Sequence, residues 1–180
     1  SGEIPRVTPY EQGYPGHMKR SADGQAWEPD PWLMDERYLA VNVRGKGIVV
    51  FSMCSHAGVV NVLTDARAAF AGTPLHAVVG GFHLSGPTVE KAIPETIRDL
   101  MGFGLARIVP AHCTGWRAFT ALSRVCDESV LMPSAVGRTF VFCGSPRLAS
   151  AGWGGGSRGP AAPPCGPRRR PRSRHLPPRW

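Results

Sequence analysis

Three histidines stand at matching places in this sequence. His56, His83 and His112 each follow a short apolar run and precede a stretch with helical spacing, in the strings Ser55-His56-Ala57-Gly58, Gly80-Gly81-Phe82-His83 and Pro110-Ala111-His112-Cys113-Thr114-Gly115. Imidazole is the commonest metal ligand, and three imidazoles with an open fourth position form a known catalytic zinc arrangement. One histidine in a strand-to-helix loop, taken alone, reads as a capping or hydrogen-bonding residue. Repetition at three equivalent places favours a site. Cys54 and Cys113 adjoin two of these loops; thiolates also bind zinc, but free cysteine behaves as a small hydrophobe in most folds, so both read as buried and unreactive. Ser55 has no GxSxG elbow around it and is set aside as a nucleophile. Asp30, Asp35 and Glu36 read as turn and surface charge.

The elements that must position these residues follow from hydrophobic periodicity. Tyr38 to Val43 alternates, and Ile48-Val49-Val50-Phe51 is a continuous apolar run, which predicts a strand, a tight turn at Arg44-Gly45-Lys46-Gly47 and a buried strand. Val59, Val62, Leu63, Ala66 and Phe70 then recur at helical spacing up to Gly72 and Pro74. Leu75 to Val79 is a second run, followed by a helix starting near Pro94. Ala106 to Val109 is a third, followed by a helix marked by Phe119, Leu122 and Val125. The order β-α-β-α-β-α predicts an α/β layer structure, with Thr139-Phe140-Val141-Phe142 as a last strand and residues 1 to 36 as extended loop with room for one short strand. In open α/β sheets the ligand crevice lies beyond the carboxyl ends of the strands, so the three imidazoles are expected to converge on one cleft.

Composition bounds what else the chain does. At 180 residues and 42% hydrophobic, it suits one core. The net charge of +8 invites a nucleic-acid or membrane reading, but the excess is local: residues 143 to 180 hold eight arginines and no Asp or Glu, leaving thirteen basic against thirteen acidic residues before them. That arginine-, proline- and glycine-rich segment is predicted to be a disordered tail on a domain spanning 1 to 142. Within its arginine cluster, Arg168 to Arg174, no aromatic residues interleave as base-stacking platforms, which argues against nucleic acid. No apolar run reaches the ~18 residues of a membrane span, and the beginning does not read as a signal peptide. Five scattered cysteines without CxxC spacing indicate neither a disulfide framework nor a zinc ribbon, and by default place the chain in a reducing, cytoplasmic setting.

The strings Cys54-Ser55-His56-Ala57-Gly58, Gly80-Gly81-Phe82-His83-Leu84 and Pro110-Ala111-His112-Cys113-Thr114-Gly115 resemble three motifs of one metallo-β-lactamase-fold subgroup, the one named after a dihydropterin ribofuranosylaminobenzene phosphate synthase. The resemblance runs over about residues 1 to 142. It implies the carboxyl-terminal part of an αββα sandwich carrying one or two divalent metals, usually zinc, whose activated water attacks an ester, phosphoester, thioester or lactam centre of a small molecule. His56 and His112 would be metal ligands. His83 would act catalytically, as a ligand or a substrate-facing hydrogen-bond donor. The HxHxDH cluster of that fold has no counterpart here, and neither does its bridging Asp, so the expectation is a fragment inactive by itself, with an uncovered apolar sheet face that seeks a partner or a second copy. The alternative is a non-catalytic truncated isoform that binds an acidic partner through the arginine-rich tail; a third is a gene-model fragment without stable function.

Overall fold

The computed structural model describes residues 1–142. The predicted tail from 143 onward, and with it the acidic-partner reading, lies outside the described residues. Six strands and three α-helices follow in the order β1 (Met18–Arg20), β2 (Trp27–Pro29), β3 (Tyr38–Val43), β4 (Gly47–Ser52), α1 (Val59–Ala69), β5 (Leu75–Gly80), α2 (Ile93–Met101), β6 (Arg107–Pro110) and α3 (Trp116–Ser123). Strands β3-β4-β5-β6 form one sheet in that order; β3 pairs antiparallel with β4, and β4, β5 and β6 run parallel. Helical crossovers between parallel neighbours are what the β-α-β-α-β-α order requires.

Burial follows the sequence pattern. Tyr38, Ile48, Val50, Val78 and Ile108 turn one face of the sheet towards Val59, Val62, Leu63 and Ala66 of α1, Ile97 and Leu100 of α2 and Leu122 of α3, and together they form the core. On the opposite face the register places Leu39 beside Phe51 and Val41 beside Val49. Leu39 is 62% exposed there, so one sheet face is helix-covered and the edge of the other is open. No helix among the described residues is long and apolar enough to cross a membrane.

Two expectations are corrected. The first 36 residues hold two short strands, not one. Met18 pairs with Pro29 and Arg20 with Trp27 in an exposed hairpin, which carries no buried alternation to read. Thr139 to Phe142 forms no strand, because the free edge of β6 is already occupied: Ile108 donates to Val130 O at 2.8 Å and accepts from Met132 N at 2.9 Å.

Helix α1 begins without a side-chain cap of its own; its cap comes from far upstream. The Glu11 carboxylate accepts the Val60 and Asn61 N–H groups, both at 2.9 Å, and buried Asn61 in turn accepts the Val7 and Thr8 N–H groups. These bonds tie the 7–12 segment over the start of α1, where it walls the site described below. Burial pushes the Glu11 carboxyl above its usual range, opposed by those backbone hydrogen bonds. Glu11→Ala orphans two helix N–H donors in a buried place, so thermal unfolding should show a loss of roughly 1–3 kcal/mol. An unchanged melting temperature would mean that water replaces the carboxylate.

Candidate metal and active site

The three histidines lie where the parallel strands end. His56 follows β4, His83 follows β5, and His112 opens a 3-10 turn (His112–Thr114) after β6. Strand ends of a parallel sheet are brought level by the register, and short backbone bonds lock them here. Gly81 N–H donates to Met53 O at 2.9 Å, and Gly80 O accepts from Ala111 N–H at 2.7 Å. The rings of His56 and His83 meet edge to face with centroids 4.7 Å apart, and Tyr14 packs on the other side of His83 at 5.7 Å. Ser55 and His83 both have left-handed backbones, with φ of 57° and 47°. Such strain persists only where the surroundings over-determine it. For Ser55 the cause is visible: its buried hydroxyl donates to Gly81 O at 2.6 Å and shares a hydrogen bond with Ser52 Oγ at 2.8 Å. That oxygen ties β4 to β5 and does not face solvent.

Glu36 is the residue that periodicity concealed. It reads as surface charge in the sequence, yet its side chain is only 5% exposed. One carboxylate oxygen accepts the Cys54 N–H at 3.2 Å, the other accepts the Ala57 N–H at 3.0 Å, and His56 Nδ1 lies 4.0 Å away. Glu36 therefore clamps the turn that carries His56. Burial, and next the neighbouring His56, hold the His83 imidazole below its ordinary pKa, with Glu36 opposing. The neutral ring is the form that both ligates metals and donates a single hydrogen bond.

His112 sits differently from the other two. Its Nε2 lies 3.0 Å from Cys54 Sγ, and the donor atoms of Cys54, His112 and Cys113 all fall within 4.8 Å of one another; His56 and His83 stand outside that group. Cys113 Sγ also reaches the Cys54 carbonyl and receives the His83 N–H, each at 3.3 Å, so it links the two parts of the site. Burial pushes the Cys113 thiol up to about 11, with Cys54 adding to the effect. The structure thus brings all three histidines to one edge, as one touching pair and one thiol-flanked ring. The thiols' part in this was not read from the sequence, where their adjacency to His56 and His112 was the available signal.

Two hollows adjoin His56. A cavity of about 300 Å³ is bounded by Tyr10, Glu11, Phe82, His83, Leu84, Lys91 and Glu95, among others, with His56 in its wall. A second, larger hollow of about 740 Å³ is lined by Asp30, Glu36, Met53 and Cys54, together with His56.

A mainly parallel sheet, helices on one face and histidines at consecutive strand ends define a metallo-β-lactamase fold, present here in part. Over 79% of its length the chain superposes, with a TM-score of 0.61 and 25% identity, on 57% of the crystal structure of a metal-dependent hydrolase of the β-lactamase superfamily. In sequence it is similar to the 7,8-dihydropterin-6-methyl-4-(β-D-ribofuranosyl)-aminobenzene-5'-phosphate synthase of Methanocaldococcus jannaschii. The two are 37% identical over 84 residues, 47% of this chain and 28% of the synthase. An uncharacterized protein of the same organism is 32% identical over 125 residues, 69% of this chain and 43% of that protein. The chain spans less than half the length of these curated relatives. No family model matches it.

Proposed function

We propose that this chain supplies one side of a metal-dependent hydrolytic centre acting on a small organic molecule, with zinc as the metal, His56 and His112 as ligands and His83 facing the substrate. The observation that carries the reading is the placement of three histidines just past the ends of β4, β5 and β6, with the touching pair His56 and His83 in the wall of a cavity of about 300 Å³. The donors suit a borderline-soft divalent ion, since imidazole is a zinc ligand. Such a metal, when bound, polarises a scissile group and lowers the pKa of its water. The chain's own residues do the rest. Glu36 holds the turn of His56, the neutral His83 ring offers a hydrogen bond from the cavity wall, and Phe82 and Leu84 give the cavity an apolar floor that excludes water from an organic substrate.

Imidazoles from this chain alone leave the coordination sphere short, and hydrolysis by the chain without further ligands is expected to be weak. The remaining ligands are proposed to come from a segment bearing an HxHxDH cluster, of the kind the fold carries in its amino-terminal half. Co-expression with such a segment gives the test. His83→Ala should lower the hydrolytic rate about 100-fold with bound metal unchanged, as expected for loss of a positioned hydrogen-bond partner. A parallel fall in metal content would make His83 a ligand instead, and no change in either would remove it from the site.

A further inference from the structure

We infer that Cys54, His112 and Cys113 form a zinc site of their own, a two-thiolate, one-imidazole site that needs neither His56 nor any residue outside this chain. The geometry arises from a missing side chain. β4 and β6 are not neighbours, because β5 lies between them. Cys54 beyond β4 and the His112-Cys113 pair beyond β6 meet in the space left by Gly81, the residue that follows β5. A Cβ on Gly81 would lie 2.5 Å from Cys113 Sγ and 2.7 Å from His112 Nε2. The two side chains fill the place that any other residue would occupy.

The donors already stand close to the spacing a metal demands. Zinc holds thiolate at about 2.3 Å and imidazole at about 2.0–2.1 Å, which in a tetrahedron sets neighbouring donor atoms roughly 3.5–3.8 Å apart. Here the sulfur-to-nitrogen separation is 3.0 Å and no pair exceeds 4.8 Å, so shifts of an ångström or less complete the geometry. Cys54 and Cys113 are half-buried and His112 is exposed, leaving the fourth position open to water. Two sulfur donors select soft, d10 ions and disfavour magnesium or calcium, whose ligands are oxygens. Binding releases the thiol protons to solvent. The hydrolytic reading shares His112 with this site but not the two cysteines, so the two stand or fall separately: His56 tests the first, the thiols the second.

Cobalt(II) serves as the probe, with the reduced full chain carrying Cys126→Ser, Cys143→Ser and Cys165→Ser. One equivalent should bind with the sulfur-to-cobalt charge-transfer absorption of thiolate ligation and be displaced by zinc. Adding Cys54→Ser or Cys113→Ser should weaken binding at least 10-fold and diminish that absorption, and His56→Ala should leave both unchanged. Binding without charge transfer, or undiminished binding when both thiols are removed, would overturn the inference. A second measurement avoids variants. In the unaltered chain, one equivalent of zinc should protect Cys54 and Cys113 from iodoacetamide, as read by peptide mass; equal alkylation with and without zinc would also overturn it.

Discussion

Replacing Gly80 by Ala should destabilise the domain by about 3–5 kcal/mol, the largest effect expected of any single added methyl at the site. Two costs combine. Gly80 has φ of +149°, a region that residues with a Cβ rarely adopt, and the added carbon would lie 1.9 Å from the Ser52 carbonyl oxygen. That oxygen is backbone of the adjacent strand, so no side-chain rotation relieves the contact. The Gly80 carbonyl also accepts the Ala111 N–H, so a shift at Gly80 is passed on to β6. Against a typical stability of ~5–15 kcal/mol, the melting temperature should fall by roughly 10 °C. Thermal denaturation followed by circular dichroism reads this directly, and a fall under about 2 °C would show that the strand ends are looser than their hydrogen bonds imply.

One residue later, the same substitution should act on metal and spare the fold. Gly81 has no left-handed backbone, and the atoms a Cβ would meet belong to the side chains of Cys113 and His112. Side chains turn aside where backbone does not. Gly81→Ala should therefore leave the melting temperature of the metal-free chain within a few degrees of the parent. Zinc or cobalt affinity should fall about 10- to 100-fold, the range seen when the groups that orient metal ligands are disturbed. Calorimetric titration of the folded variant measures it. Undiminished affinity would mean that neither His112 nor Cys113 holds the ion from its present position.

The contrast between these two glycines also marks what the sequence could reveal. Periodicity located β4, β5, β6 and the helices that follow, and hence the common edge of His56, His83 and His112, because strand ends in a parallel sheet are level. The Cys54–His112 approach was out of reach, since it joins strands that are not neighbours through a gap left by Gly81. Glu11 and Glu36 were concealed for a related reason. Each is an acidic residue in an irregular segment, and each is buried by backbone N–H groups distant in sequence: Val60 and Asn61 for Glu11, Cys54 and Ala57 for Glu36. Local pattern carries no record of such partners. Thr139 to Phe142 shows the opposite failure, a β-rich string left unpaired because Val130 and Met132 bond to the edge strand first.

The central claim is that the strand-end histidines ligate a catalytic metal, and His56 tests it most directly because the thiol site does not use it. The protein to measure is the chain completed by an HxHxDH-bearing segment, with Cys54→Ser and Cys113→Ser so that only the hydrolytic centre retains metal. Its zinc content, determined by elemental analysis after dialysis, should be close to stoichiometric, and adding His56→Ala should remove most of that zinc while the protein stays folded. Full zinc occupancy in the His56→Ala protein would contradict the account.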